Sequence, residues 1–321
     1  MNPRHQAFSA PGKVFLLGEY AVVAGKAAVV AAVGPRFELK RGGGAAGFPF
    51  AAGSPAGRLY ARVLDEAGAA GVAKLSGLPI QFSDPHSGKG GFGGSTAEFV
   101  LTYKLLAETL DWPDSKNRWE AAWKLYRELT AGESLPPSGA DLVAQWRGGV
   151  VLFDPEDLYC VDLWPIFDWT SVLVFSAAGL PGRKVATHEH LAALKSLGDV
   201  LVENLEEVLL AGVKGIREGN VMAFSQSLTA YADILWNSGL ENAQAHADRL
   251  ALSQVPDVLG VKGAGAMLSD ALVVSMKLRS PHREKLIEAA QARGLVLISD
   301  GIPSEMGARV ELAPPAAGGH S

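Results

Sequence analysis

The chain has 321 residues, 48% of them hydrophobic and 20% charged, with 37 Gly, 18 Pro and a formal net charge of -5. This is enough apolar material for one large domain or two ordinary ones, and the mixed, slightly acidic charge removes the simplest electrostatic case for a nucleic-acid binder. Cys160 is the single cysteine, which excludes an intrachain disulfide and a Cys-rich metal site.

The first residues, MNPRHQAFSAPGK, lack an apolar run and read as a poor secretory signal. The most apolar early stretch, Ala21 to Val33, is broken at Gly25-Lys26 and is too short to span a bilayer, so a soluble cytoplasmic protein is expected, with no membrane partner. Lys13–Val23 and Ala27–Lys40 are rich in Val, Phe and Leu and read as strands separated by a Gly-Lys turn. Arg41–Gly57 is a Gly/Ala/Pro-rich connection, and helical character begins at Arg58 and ends near Ala69. Leu78–Asp84 alternates Ile80 and Phe82 with polar residues, the pattern of a half-buried strand.

After a glycine run, Thr96–Leu110 places Phe99, Tyr103, Leu106 and Leu110 at helical spacing. Asn117–Leu129 reads as a second helix, Thr130–Asp141 as a loop and Gly148–Phe153 as a strand. The second half opens with a strand at Ser171–Ala177, followed by helices at His188–Glu207 and Val221–Leu235. A glycine-rich turn at Gly260–Asp270 precedes the strand Ala271–Met276. A helix at His282–Arg293 and strands at Leu295–Asp300 and Ala308–Ala313 follow, and the tail from Pro314 is expected to be disordered. Alternating rather than continuous strands, mixed with helices, predict α+β layers instead of a parallel doubly wound sheet.

The stretch SGKGGFGGSTAEF, Ser87 to Phe99, carries the chemistry. Its Gly88-x-Gly90-x-x-Gly93 matches a dinucleotide fingerprint, but the strand before it is amphipathic, and Asp111 and Asp114 follow a helix rather than a strand. A P-loop is excluded because Gly12-Lys13, Gly25-Lys26 and Gly88-Lys89 all lack the following Ser or Thr. What remains is a glycine loop closed by a helix N-terminus, where free N–H groups and the helix dipole attract an anion. Ser95 either caps that helix, forming a capping box with Glu98, or ligates a metal beside phosphates. His188-Glu189-His190 is a weak metal candidate, since i and i+2 lie on different faces of a helix. Arg147 and Arg183 are candidate partners of an anionic group, and Lys262 could reach a phosphate or simply flank its turn.

Three segments occur in order: Ser9–Val33 with Ala-Pro-Gly-Lys and Gly-Glu-Tyr, Gly91–Ala97, and Gly263–Ala266. Together they resemble the GHMP kinase superfamily, whose members include galactokinase, homoserine kinase, mevalonate kinase and phosphomevalonate kinase. The first segment matches the family pattern closely. In the second, Gly94 stands for a serine, and in the third "AMLSD" replaces a glycine run. The resemblance implies two domains, at 1–163 and 164–321, the first like ribosomal protein S5 and the second ferredoxin-like, with ATP and Mg²⁺ between them. It implies Lys13 and Asp141 as catalytic residues, Gly91, Gly93, Gly94, Ser95 and Thr96 around the nucleotide, and Ser95 with Glu19 at the metal. Glu19, Tyr20, Ser138, Lys184, Thr187, Gly263 and Gly265 would meet the small-molecule substrate. A homodimer is left open.

The Ser-Gly-x-Asp turn at 138–141 and the opening segment look most like the mevalonate branch. Tyr20 in place of His, Asp141-Leu-Val-Ala, and Thr130 where a metal-binding Glu is usual lean towards phosphomevalonate kinase; the spacing of Gly18–Val30 and the short chain lean towards mevalonate kinase. A decarboxylase of the same fold fits less well, because its serine-rich motif is not matched. A ligand-binding relative without turnover is the non-enzyme alternative.

Overall fold

The computed structural model describes residues 6–75, 79–86, 90–177, 179–183, 197–304 and 306–312, with the backbone alone at 6, 43–46 and 312. Among the described residues ten strands form two sheets, and every strand pair with a stated register is antiparallel. The first sheet is built from β1 (Gln6–Leu17), β2 (Ala28–Ala46), β3 (Pro79–Ser83), β4 (Val150–Asp154), β5 (Tyr159–Asp162) and the last strand, β10 (Arg309–Leu312). Its order is β10-β1-β2-β4-β5, with β3 also on β2. The second sheet is made of β6 (Val172–Ser176), β7 (Val258–Ala264), β8 (Ala271–Met276) and β9 (Val296–Asp300), in the order β7-β8-β6-β9. This is an α+β protein, as the alternating strands predict.

The helices in chain order are α1 (Pro55–Glu66), α2 (Gly68–Leu75), α3 (Gly94–Thr109), α4 (Trp119–Thr130), α5 (Ala140–Arg147), α6 (Asp199–Arg217), α7 (Val221–Asn237), α8 (Ala243–Ser253) and α9 (Arg283–Ala292). Side chains alternate between two layers along each half of β2, and the alternation resets between Val33 and Phe37, where the pairing with β1 shifts. Along β2, Ala28, Val30, Phe37 and Leu39 join a core with α1, α3, α4 and α5, while Val29, Ala31 and Val33 join a second core with α6, α7 and β6. A third core, with Leu173, Phe175, Leu272 and Val274, is covered by α8 and α9. Each fully buried Val, Leu or Phe in these layers contributes about 1.5–3 kcal/mol relative to exposure. Among the described residues no helix is long and apolar enough to cross a membrane.

Several local expectations change. The strand expected to run to Val23 stops at Leu17, because Gly18 turns the chain at φ +97 and a short 3-10 helix, Ala21–Ala24, follows. The connection expected at Arg41–Gly57 is shorter: β2 continues to Ala46, and α1 starts at Pro55 behind Ser54, whose hydroxyl accepts from the Gly57 N–H at 3.1 Å. The sequence reading missed α2, α5, β5 and α8, and took Gly260–Ala264, the greater part of β7, for a turn. The described part of the helix expected from His188 starts at Asp199 and runs on to Arg217. Lys184, Thr187, His188, Glu189 and His190 lie outside the described residues, as does the tail from 313.

Candidate active site

The glycine run makes a turn that only glycine accommodates at two places. Gly91 and Gly93 have φ of +93 and +80, and Gly93 is the residue from which α3 starts. No side chain caps α3, whereas α1, α7 and α8 are capped by Ser54, Asn220 and Asn242. The sixteen-residue α3 therefore presents uncapped N–H groups and the positive end of its dipole at this turn. Ser95 in its first turn is exposed and makes no hydrogen bond among the described residues, so the capping box with Glu98 does not form. Burial and the nearby Asp84 charge push the Glu98 carboxyl up. Gly94 differs from Gly93: a Cβ there would meet only the Phe37 ring, at 3.8 Å.

Lys13 lies on β1 and is 8% exposed. Its N–H donates to the Phe92 carbonyl at 3.1 Å, which fixes the strand to the glycine turn. Its aliphatic stem crosses Gly93 so closely that a Cβ there would stand 2.9 Å from Lys13 Cγ and 3.1 Å from Cε. The ammonium lies 4.9 Å from the Phe15 ring and has no hydrogen bond or salt bridge among the described residues. A nearly buried cation that feels the Glu19 charge but has no bonded counter-ion among the described residues, next to an uncapped helix N-terminus, is arranged for an anion.

Opposite, α5 begins after Ser138 and Gly139 (φ +78) and carries Asp141 in its first turn. The buried Thr96 hydroxyl donates to Asp141 Oδ2 at 2.6 Å, and the Leu142 N–H donates to Oδ1 at 3.0 Å, so the carboxylate is held in one orientation. One helical turn on, Gln145 is buried, and its Nε2 donates to the Pro11 and Gly93 carbonyls at 3.0 and 3.1 Å. That amide ties the Ala-Pro-Gly-Lys segment to the glycine turn. Thr96, expected at the nucleotide, thus serves Asp141, and Gln145 was not foreseen. Had α5 been read from the sequence, its i, i+4 spacing from Asp141 would have placed Gln145 on the same face.

The second glycine loop, between β7 and β8, reaches the first through Asp270. A Cβ on Gly90, Gly91 or Gly265 would meet the Asp270 side chain, at 3.2 Å from Oδ1 for Gly90 and 2.5 Å from Cβ for Gly91. A Cβ on Gly263 would collide with the Leu268 backbone. Glu19 and Tyr20 both face the second half of the chain. The Tyr20 hydroxyl accepts from the Met267 N–H at 3.0 Å and donates to the Leu240 carbonyl at 3.4 Å. Glu19 Oε1 accepts from Lys262 Nζ, and Oε2 is enclosed without a partner. Burial raises the Glu19 carboxyl and lowers the Lys262 amine, each opposed by the other's charge. Among the described residues no three His, Cys, Asp or Glu side chains group to hold a metal.

The same architecture occurs in solved structures. A Streptococcus pneumoniae phosphomevalonate kinase matches over 92% of this chain and 98% of its own, with a TM-score of 0.75 and 15% identity. The same enzyme in complex with phosphomevalonate and AMPPNP gives a TM-score of 0.71 at 14% identity, over 91% and 98% of the two chains. A Methanococcus jannaschii mevalonate kinase gives 0.68 at 14% identity, over 92% and 98%. The fold is therefore the one these solved kinase structures share. In sequence, a mevalonate kinase of Aeropyrum pernix is 28% identical over a 224-residue alignment that covers 61% of this chain and 63% of that protein, so the match spans less than two thirds of that relative. No family model matches the chain.

The remaining candidates sit unevenly on this fold. Ser138 stands at the turn before Asp141, its hydroxyl accepting from the Ala140 N–H at 3.3 Å and its carbonyl accepting from Trp123 Nε1 at 2.9 Å. Thr130 is buried and donates to the Tyr126 carbonyl of its own helix at 2.8 Å. Arg183 is buried against Asp248 and donates to the Ser269 carbonyl at 3.3 Å, which makes it a brace behind the second glycine loop rather than a surface anion site. Arg147, at the end of α5, is exposed.

Proposed function

We propose that this chain is an ATP-dependent small-molecule kinase of the mevalonate branch, which transfers the γ-phosphate to phosphomevalonate. The observation that carries this is Lys13: nearly buried, without a salt-bridge partner, and laid across Gly93 at the uncapped start of α3. Phosphoryl transfer needs positioning and charge neutralisation more than covalent chemistry, and these are what such an arrangement offers. In this reading the N–H groups of α3 and the Gly91–Gly94 turn receive the nucleotide phosphates. Lys13 stabilises charge on the transferred group and lowers the pKa of the attacking oxygen. Asp141, oriented by Thr96, accepts that oxygen's proton or holds it in line.

Mg²⁺ would neutralise part of the phosphate charge when bound with ATP. Ser95 fits such an ion, since its hydroxyl is exposed and uncommitted beside the expected phosphates, which together with waters complete a magnesium shell. Glu19 fits less well as it stands, with one oxygen on Lys262 and the other enclosed. Thr130 offers no carboxylate where the superfamily often has one, and this favours phosphomevalonate over mevalonate as acceptor. Mevalonate is the second reading, supported by the name of the Aeropyrum pernix relative.

The test is ADP release by the purified chain with ATP-Mg²⁺ and, separately, mevalonate, phosphomevalonate, diphosphomevalonate, homoserine and galactose. Turnover with phosphomevalonate is expected. Turnover with only the sugar or the amino acid would reject the mevalonate branch, and ATP binding without ADP release from any acceptor would favour a binding protein.

A further inference from the structure

The strand that carries Lys13 is not regular. The pairing of β1 with β2 shifts between Ala10 and Gly12, where the extra residues lie on β2, and a second time between Phe15 and Leu17, where Leu16 is the extra residue on β1, so the ladder is irregular on each side of Lys13. At the Phe15–Leu17 bulge Leu16 and Leu17 both enter the same core, where strict alternation would send them to opposite faces. Bulges re-aim the side chains beside them, so something must hold this one in place.

Lys262 on β7 is what reaches it. Its ammonium is fully buried and donates to the Phe15 carbonyl at 3.5 Å, to the Gly263 carbonyl at 2.8 Å, and to Glu19 Oε1. The three acceptors match the three protons of an ammonium, and the Tyr231 ring lies 5.7 Å from it. An apolar residue would fill this space without the desolvation cost of a buried charge. What the lysine adds is a set of donors that join the bulge, the residue after Gly18 and the second glycine loop at one point.

We propose that Lys262 is a positioning residue, which pins the Phe15–Leu17 bulge of β1 against the Gly263–Gly265 loop and so fixes where Lys13 lies across Gly93. The effect on turnover rests on the kinase reading above; the effect on the strand does not. Removing Lys262 alone would leave Glu19 buried and unpaired, so the comparison is made within a Glu19→Gln background.

Hydrogen exchange is measured for Glu19→Gln and for Glu19→Gln/Lys262→Met, together with kcat and KM. Amides of Lys13 to Leu17 should exchange at least tenfold faster in the double variant, with α3 and β8 unchanged. Its kcat should be at least tenfold lower, with KM for the acceptor changed less than threefold. Lys262→Gln in the same background keeps N–H donors and should restore most of the protection at Lys13 to Leu17. Unchanged exchange at those amides, uniform acceleration across both sheets, or no rescue by Gln would overturn the proposal. Absence of turnover in the unmutated chain would reject the kinase reading, and the exchange comparison would still decide the role of Lys262.

Discussion

Gly93 and Gly94 are adjacent, yet the structure assigns them opposite tolerances, and Gly93→Ala against Gly94→Ser measures the difference. Gly93 has φ +80, and an added Cβ would stand 2.9 Å from Lys13 Cγ, 3.0 Å from Gln145 Nε2 and 3.1 Å from Lys13 Cε. The left-handed backbone costs a non-glycine residue about 1–2 kcal/mol. Relieving the contacts adds about 1 kcal/mol by moving the lysine stem or breaking the Gln145 bond to the Gly93 carbonyl. A loss of about 2–3 kcal/mol lowers Tm by roughly 3–4 °C in a chain of this size. Because the side chain that must move is Lys13, kcat should fall on the order of 10²-fold. Gly94 lies inside α3 with no positive φ, and its Cβ would meet Phe37 only at ordinary contact distance. Gly94→Ser should therefore leave Tm within about 1 °C, since exposed-type substitutions stay within roughly 0.5 kcal/mol, and kcat within about threefold. Thermal unfolding and ADP release on the two variants decide the matter. A Gly93→Ala protein with parental Tm and kcat, or a Gly94→Ser protein more damaged than it, would refute the reasoning.

Two more outcomes follow from the site. Asp141→Asn should lower kcat by about 10²–10⁴ with little change in stability, and Thr96→Val, which removes the 2.6 Å bond that orients the carboxylate together with the Thr96 bond to the Tyr126 hydroxyl, should lower it by about tenfold; equal kcat in parent and Asp141→Asn removes the residue from the reaction. His86 is enclosed between Phe37 and Phe92, with centroids 5.2 and 4.5 Å away, and its Nε2 has no partner. Burial holds its pKa below the usual 6.5 despite the Asp84 charge and a backbone bond to Pro35. The unfolded chain then binds more protons below pH 6.5, so this contribution is complete above that pH and is lost as pH falls towards the folded value. Urea midpoints should drop more steeply from pH 7 to pH 5 for the parent than for His86→Phe, and parallel curves would show that His86 does not titrate this way.

How much of this was readable in the residues depended on distance along the chain. The Ala-Pro-Gly-Lys opening, the Gly91–Ala97 turn and the alternating strands are short-range patterns, and they led to the right fold and to Lys13 and Asp141 lying around one turn. α5 was hidden because its eight residues follow Pro136-Pro137-Ser138-Gly139, which reads as loop, and Gln145 was lost with it. Lys262 and Glu19 are separated by 243 positions, and no local pattern foretells that pair. Asp270 looked like part of a degenerate glycine motif until its side chain met Gly90 and Gly91. The return of β10 to β1 likewise joins residues 309–312 to a sheet otherwise drawn from the first 162. Each of these is a non-local contact chosen by packing, where propensity and periodicity carry little information.

The central claim is transfer of the ATP γ-phosphate at Lys13 and Asp141. Phosphorus NMR of parent and Asp141→Asn protein, each with ATP-Mg²⁺ and phosphomevalonate, tests it most directly. The expected result is a growing diphosphate signal with matching ADP for the parent and a rate at least 10²-fold lower for the variant. Transfer at the same rate by both proteins, or none by the parent to either phosphomevalonate or mevalonate, would contradict it.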